Sequence, residues 1–133
     1  NIVADTVMAS AGKSVASFDT LSKTDDMYFE YMVKAKKADV DSYEIKLQPN
    51  GTTLDEVGIL KARTDTVDSV KQSITTYLAD RNAAWTGLYL TEEYPKLKNA
   101  EVRVYGNYVV YAILSDSEKT AFFQAAEKAV TAK

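Results

Sequence analysis

The sequence predicts an α+β fold in which two β-hairpin–helix units share one antiparallel sheet. Apolar and polar residues alternate at positions 42–48, as in a half-buried strand, and strand patterns occur again at 101–105 and 108–114. Each pair of strands is followed by apolar residues at helical spacing. The order strand, strand, helix therefore occurs twice, in residues 42–85 and 101–132. Two such ββα units predict a four-stranded antiparallel sheet with both helices on one face.

The N-terminal region, residues 1–35, is predicted to be helical and to precede the ββα-ββα core at 40–132. A first helix over residues 2–18 is indicated by apolar residues at helical spacing, although Gly12 weakens it. A second, shorter helix is expected at residues 25–33, because two aspartates at its start suit a helix N-terminus. The apolar positions of the first helix are Val3, Val7, Ala11, Val15 and Phe18.

The first ββα unit begins with a strand whose apolar side is formed by Tyr43, Ile45 and Leu47. Pro49-Asn50-Gly51 supplies a turn, because Asn and Gly tolerate positive φ. The strand at 57–63 returns, and Asp65 is expected to cap the following helix. The apolar side of that helix contains Val67, Val70, Ile74, Tyr77, Leu78 and Trp85.

The second unit has strands at 101–105 and 108–114, joined by the two-residue loop Gly106-Asn107. Ser115 and Glu118 have capping-box spacing and open the final helix. Between the units, residues 91–99 are expected to form a short helix with Pro95 near its first turn.

Composition excludes several classes of protein. The 133 residues suit one domain, 1–133, with 46% apolar and 26% charged residues. The chain has no cysteine and no histidine, which excludes disulfides, thiolate metal sites and Ser-His or Cys-His catalytic arrangements. A net charge of −3 disfavours nucleic acid as a partner. No apolar run approaches the length of a membrane span, and no cofactor is expected.

Carboxylates and lysine are the residue types left for acid–base or covalent chemistry. Asp39, Asp41 and Glu44 suggest an oxygen-rich calcium loop, but the pattern lacks the glycine and distal glutamate of an EF-hand. Asp55-Glu56 and Glu92-Glu93 are interpreted as solvated charges. Lys61 is either a nucleophile with a depressed pKa or, more commonly, an exposed strand lysine.

Tyrosines of the second hairpin give the strongest indication of a binding surface. A two-residue turn pairs Tyr105 with Tyr108 and Arg103 with Val110, so all four side chains share one face. The opposite face carries a more apolar set and is the expected core. Arg103, Tyr105, Tyr108 and Val110 are therefore predicted to lie on an uncovered face that binds a ligand or a partner. The alternative is cross-strand pairing that only stabilises the hairpin, or cover from the N-terminal helix. The expected core set is Val102, Val104, Val109, Tyr111 and Ile113.

Several segments together resemble a known family. They are VGILKARTD at 57–65, the helix through Arg81, WTGLYLTEEYPKL at 85–97 and VRVYGNYVVYAILSD at 102–116. In this order they resemble domain of unknown function family 4358. The matching features are Lys61, Arg81, Trp85-x-Gly87-x-Tyr89 and Gly106-Asn107-Tyr108.

This resemblance carries no activity, cofactor or catalytic residue. It implies a secreted or lipid-anchored protein of Gram-positive bacteria, located outside the cytoplasmic membrane and tethered through a removed N-terminal segment. The expected function is that of a non-enzymatic binding module for an unknown protein or a small cell-envelope ligand. The alternatives are a small enzyme or enzyme inhibitor that uses carboxylates or Lys61, and a purely structural domain of a larger envelope protein.

Overall fold

A computed structural model describes residues 2–85 and 91–131, in which one antiparallel sheet separates two layers of helices. The α+β class is thereby confirmed. The strands are β1 (Ser22–Lys23), β2 (Val40–Leu47), β3 (Glu56–Ala62), β4 (Glu101–Tyr105) and β5 (Tyr108–Ile113). The helices are α1 (Ala4–Ala11), α2 (Val67–Ala84), α3 (Tyr94–Lys98) and α4 (Asp116–Thr131).

Within the described residues the sheet has five strands in the order β1-β2-β3-β5-β4, and both ββα units contribute to it. β3 pairs with β5, which joins the two hairpins at the centre of the sheet. The fifth strand, β1, adds to the edge of β2 through Ser22 and Lys23. Two exposed residues carry no alternation, so the sequence pattern gave no indication of this strand.

The two long helices lie on opposite faces of the sheet, so the expectation that both cover one face is wrong. α1 and α4 pack on the side of β3 and β5 that carries Val57, Ile59 and Val110. α2 packs on the other side, against Leu60 and Tyr111. All six residues of β5 are buried. A strand that is covered on both faces is apolar on both, and alternation cannot then assign a helix to one side.

The hairpin face predicted to be uncovered is covered by α1 and α4. Val110 is 0% exposed and Tyr108 is 6% exposed, and both lie in the core with residues of α1 and α4. The Tyr108 hydroxyl donates to the carbonyl of Ile2 at 2.6 Å and accepts from its amide at 3.0 Å. Tyr105 is partly buried beside the same core. Arg103 is exposed and lies over the ring of Phe123, 4.6 Å from its centroid.

The N-terminal helix is shorter than predicted, because α1 ends at Ala11 and a tight turn follows at Gly12–Ser14. Phe18 lies outside the helix, and its ring occupies the position that a side chain at residue 12 would need. Val7, Ala11 and Val15 are buried as expected, whereas Val3 is 50% exposed.

The second helical segment forms one turn of π-helix, Tyr28–Val33, and ends at Lys34 in the left-handed region with φ 61°. Asp25 accepts a hydrogen bond from the Tyr28 amide at 2.9 Å, which is the role expected of an acidic residue there. This turn packs on the α2 side of the sheet through Phe29 and Val33.

The caps of the long helices differ from each other. Thr66, rather than Asp65, is the N-cap residue of α2, and the exposed Asp65 carboxylate lies 3.8 Å from the Arg63 guanidinium. At the start of α4, the Ser115 hydroxyl donates to the Glu118 carboxylate at 2.9 Å, so the two residues with capping-box spacing bond through their side chains rather than through the backbone amides of a capping box. The second Glu118 oxygen accepts from the Ala16 amide at 2.9 Å and joins α4 to the N-terminal region.

Candidate functional site

A buried carboxylate, Glu56, lies at the centre of a polar cluster between β3, β5 and α2. The residue is 1% exposed. One oxygen accepts from the hydroxyls of Tyr77 at 2.8 Å and Tyr111 at 2.5 Å. The other accepts from the Arg81 guanidinium at 2.5 Å. Three donors from two different elements therefore compensate for the burial of this charge.

The cluster extends from Tyr77 to a third phenol, that of Tyr28. The Tyr28 and Tyr77 hydroxyls are 2.6 Å apart, and their rings meet edge to face. Burial and the neighbouring Glu56 charge raise the pKa of Tyr28, Tyr77 and Tyr111 above the ordinary tyrosine value. For Arg81, burial opposes the charge, but the attraction of Glu56 outweighs it and raises the pKa. The phenols are therefore neutral and the guanidinium is charged at every physiological pH.

The chemistry of this cluster is that of a support rather than of a reactive group. Both oxygens of Glu56 already accept hydrogen bonds, so the carboxylate is not available as a general base in this arrangement. What the arrangement does is fix the positions of Tyr77 and Arg81 on α2. Both line a groove, in which the Arg81 side chain is partly exposed and Tyr77 is buried.

This groove, which we call the π-turn groove, lies between the π-helical turn and α2. Its volume is about 490 Å³ and its lining is mostly apolar. One wall is formed by residues 31–34 and the other by α2. The walls include Tyr31, Met32 and Val33 on the first side and Thr76, Tyr77 and Arg81 on the second.

Three large apolar side chains of residues 27–32 are exposed to solvent. Tyr31 is 71% exposed, Met32 is 57% exposed and Met27 is 68% exposed. The π-helical turn explains the exposure of Tyr31 and Met32, because it directs Phe29 and Val33 into the core and leaves the residues between them outside. Single turns of π-helix are rare and occur often at functional sites.

The π-helical turn is held in place from both sides. The Phe29 ring stacks on Tyr43 of β2, with centroids 4.0 Å apart. The Tyr43 hydroxyl in turn donates to Asp26, whose other oxygen accepts from the Lys37 ammonium at 2.8 Å. These bonds, first that with Lys37, lower the pKa of Asp26. The exposed apolar residues are thus presented by a segment with fixed ends.

The residues predicted to carry chemistry lie elsewhere. Lys61 is half-buried on the α1/α4 side, where its ammonium lies 5.8 Å from the centroid of the Tyr108 ring. Asp39, Asp41 and Glu44 do not converge. Within residues 2–85 and 91–131, no three acidic side chains are placed to hold a metal ion. None of the helices described there is long and apolar enough to cross a membrane.

The interpretation of Asp55 and Glu56 as solvated charges is wrong, because both are buried. Asp55 accepts from the Lys96 ammonium at 2.8 Å and from the Ser17 hydroxyl at 2.8 Å. Lys96 also bonds Glu93 at 2.9 Å, and Glu93 accepts from the Leu54 amide at 3.0 Å. This second ionic cluster fixes α3 against the loop between β2 and β3.

The aromatic segment that follows α2 is described in part. The rings of Trp85 and Tyr94 stack with centroids 6.0 Å apart, and the Tyr94 hydroxyl donates to Asn82 at 2.7 Å. Gly87 and Tyr89, which belong to the segment that resembles the family, lie outside the described residues.

The sequence contained part of the signal for the π-turn groove. Tyr77 belongs to the apolar side predicted for α2, and Arg81 was among the features that resemble the family. They are four positions apart in the helix, so they share one helix face. The contribution of Glu56 to this site depends on the pairing of β3 with β5. Local sequence patterns do not specify that pairing.

Comparison with known proteins gives a family and no characterised relative. No curated protein and no solved structure matches the chain significantly. A family model described as "Domain of unknown function (DUF4358)" matches residues 14–114, which is most of the chain. The match includes β1 to β5, α2, the π-helical turn and Glu56. The chain therefore belongs to the DUF4358 family.

Proposed function

We propose that this chain is a non-enzymatic binding module, and that its π-turn groove takes an apolar or aromatic side chain of a protein partner. The module acts outside the cytoplasmic membrane, which is the location that the family resemblance implies. The observation that carries the proposal is the exposure of Tyr31 and Met32 in one wall of a groove whose other wall is held by Glu56.

A protein partner is favoured over a small ligand by the extent of the apolar surface. Tyr31 and Met32 line the groove, whereas Met27 lies outside it. A small molecule that fills about 490 Å³ would leave Met27 in water. A protein surface would cover the groove and Met27 together, and exposed apolar patches of this kind mark interaction sites.

The two sides of the groove differ in a way that suits recognition. Tyr77 and Arg81 are fixed by Glu56 and form a rigid side. Met32 is unbranched and flexible, so it can adapt to the shape of a partner. Tyr31 presents a large aromatic surface, and tyrosine and arginine are among the residues that contribute most to binding energy at interfaces.

The absence of catalysis is supported by the polar groups beside the groove. Glu56, which holds Tyr77 and Arg81, has both oxygens occupied by donors of the same chain. The carboxylate that lines the groove itself, Asp80, is exposed to solvent, where a carboxylate keeps its charge and is a weak base. The phenol of Tyr77 has a raised pKa and is therefore a poor nucleophile at neutral pH.

The proposal is tested by selecting peptides from a phage-displayed random library on the immobilised chain. We expect enriched peptides to share a large apolar or aromatic residue. In ¹⁵N NMR titrations of the labelled chain, these peptides should shift the amide signals of residues 27–34 and of the groove side of α2. The double variant Tyr31→Ser/Met32→Ser should weaken their binding at least about tenfold, because it removes two contact residues of an interface.

Val3→Ser is the matched control, since Val3 is 50% exposed and lies in the N-cap of α1, away from the groove. This variant should bind the peptides as the wild type does. Peptides whose affinity is unchanged by the double variant would contradict the proposal. The proposal would also be contradicted if, in a panel of sugars, lipids and cell-wall fragments, one compound alone stabilised the wild type and shifted the groove signals.

A further inference from the structure

β4 is the edge strand of the sheet that the described residues form, and no other described strand pairs with its outer side. It is the last strand of the sheet and pairs with β5 alone among the described residues. Its register runs without a bulge from Glu101 to Tyr105, and it contains no proline. The opposite edge is different, because β1 has only two residues. Natural sheets usually protect an edge by a bulge, proline, cover, a very short strand or charged side chains, since an open edge offers a template for another strand. Of these devices β4 has the charged side chains Glu101 and Arg103.

The hairpin geometry determines which backbone groups face outward. Tyr105 and Tyr108 flank a two-residue loop and form a hydrogen-bonded pair. Because such pairs alternate along an antiparallel ladder, Arg103 and Glu101 are also bonded to β5. The amide and carbonyl groups of Val102 and Val104 therefore point away from β5, toward the free edge.

The side chains of β4 divide into an apolar and a charged set. Val102 and Val104 lie half-buried on the α2 side, beside a shallow groove of about 210 Å³ that includes Ala79, Leu97 and Ala100. On the α4 side, Glu101 and Arg103 are 44% and 47% exposed, with their charged groups 3.7 Å apart. The other oxygen of Glu101 lies 3.1 Å from the Lys119 ammonium of α4, so this carboxylate already has cations beside it in its own chain. One edge therefore carries an acid and a base two residues apart, on the same face.

We propose that β4 pairs antiparallel with β4 of a second copy of this chain, in the register that places Val102 opposite Val102. In this register Glu101 of each copy faces Arg103 of the other, which gives two complementary cross-strand pairs. Val104 faces Ala100, so the α2 side of the contact is apolar. The outward groups of Val102 and Val104 are the ones that bond across the symmetry axis. The result is a continuous ten-stranded sheet.

Charge distinguishes this register from its neighbour. A shift of the pairing by one position in each copy would centre it on Arg103 and place two arginines opposite each other, which is destabilising. A two-fold axis perpendicular to the sheet requires facing residues to lie on the same side, so Val102 cannot pair with Arg103. The register centred on Val102 is the one in which both acid–base pairs form.

Single-cysteine cross-linking tests the register directly, because the chain has no native cysteine. Val102→Cys should form a disulfide-linked dimer under mild oxidation, since facing positions on paired strands lie within disulfide distance. Val104→Cys is the matched control on the same side of the same strand. In the proposed register its two sulfur positions are about 13 Å apart along the strands, so it should cross-link little. Preferred cross-linking of Val104→Cys would overturn the register.

Sedimentation velocity over a range of concentrations tests the dimer itself. The wild type should show a dimer fraction that increases with concentration, and Arg103→Glu should weaken the dimer about tenfold by facing like charges. Glu101→Lys should do the same, whereas an equimolar mixture of the two variants should recover a dimer. Circular dichroism establishes that each variant is folded. Should one variant unfold, Val102→Pro is used in its place. Proline is tolerated where the amide faces an open edge, and it should weaken the dimer because it removes an amide that bonds across the symmetry axis. A wild type that is monomeric at all concentrations would overturn the proposal.

Discussion

The Tyr111 hydroxyl of β5 donates a 2.5 Å hydrogen bond to the Glu56 carboxylate of β3, and both side chains are essentially inaccessible to solvent. This bond links the two hairpins, because β3 belongs to the first ββα unit and β5 to the second. The same carboxylate bonds Tyr77 and Arg81 on α2. One charge thus joins the centre of the sheet to the helix that forms one wall of the π-turn groove.

Removal of this carboxylate should strongly destabilise the protein. Glu56→Ala leaves the Arg81 charge and two phenols without their acceptor, and should lower the free energy of unfolding by about 3 kcal/mol or more. Glu56→Gln keeps the shape of the side chain and one acceptor oxygen, so its free energy of unfolding should lie between those of Glu56→Ala and the wild type. Urea denaturation measures both. Glu127→Gln, at an exposed glutamate of α4, should stay within about 0.5 kcal/mol of the wild type. Equal effects of the two glutamine variants would contradict the importance of Glu56.

Alkaline pH should unfold the protein through its buried tyrosines. The pKa of Tyr77 and Tyr111 is raised in the native state by burial and by Glu56, whereas in the unfolded chain both titrate near pH 10. Below pH 10 both phenols are protonated in the folded and in the unfolded state, so their contribution to the free energy of unfolding has its full value. Above it the unfolded state binds fewer protons, so the free energy of unfolding decreases by up to about 1.4 kcal/mol per pH unit for each phenol.

Unfolding free energies measured between pH 7 and 11 test this dependence. The double variant Tyr77→Phe/Tyr111→Phe should have a shallower decrease above pH 10, although its stability at pH 7 is lower. Absorbance at 295 nm should show that part of the tyrosine titration coincides with unfolding. A titration of all nine tyrosines in the folded protein would refute the raised pKa values.

The elements of the fold could be predicted from the sequence because their signals are local. Alternation located β2, and helical spacing located α2 and α4. The faces could not be assigned in this way. Val109 and Val110 are both fully buried, one against α2 and the other against α1 and α4. The continuous apolar run of β5 was itself a sign of a strand covered on both sides, and it argued against a bare tyrosine face at Tyr105 and Tyr108.

The candidate site was harder to predict because its parts come from separate segments. Glu56 follows Asp55 in a polar stretch, and adjacent acids usually indicate solvent. Their burial depends on Arg81 and Lys96, which lie 25 and 41 residues away in sequence. The exposure of Tyr31 and Met32 has a different cause, since a π-helical turn shifts the spacing on which helical periodicity relies.

Loss of Lys96 should weaken the contact of α3 with the loop between β2 and β3. Burial disfavours its charge, but hydrogen bonds with Asp55 and Glu93 prevail and raise the pKa of Lys96. Lys96→Met leaves the buried Asp55 carboxylate with the Ser17 hydroxyl as its partner, and should cost about 1–3 kcal/mol in urea denaturation. Lys98→Met, at an exposed lysine of the same helix, should change stability little. An equal loss in both variants would exclude a specific contribution from the Asp55 pair.

Gly58 of β3 should tolerate no side chain, because of the ring that bonds Glu56. A Cβ atom at Gly58 would lie 2.1 Å from the nearest atom of the Tyr111 ring. That ring is held by core packing and by its hydroxyl bond, so it cannot move aside at low cost. Gly58→Ala should therefore lower the free energy of unfolding by at least about 3 kcal/mol.

The matched comparison is Gly106→Ala in the β4–β5 turn. A Cβ there meets no atom within 4 Å, and only the φ of +62° opposes it. This substitution should cost about 1–2 kcal/mol, the price of a left-handed conformation for alanine. Thermal unfolding of both variants shows which substitution destabilises the protein more. A Gly58→Ala variant as stable as Gly106→Ala would mean that Tyr111 can be displaced without loss, and that its bond to Glu56 does not hold the two hairpins together.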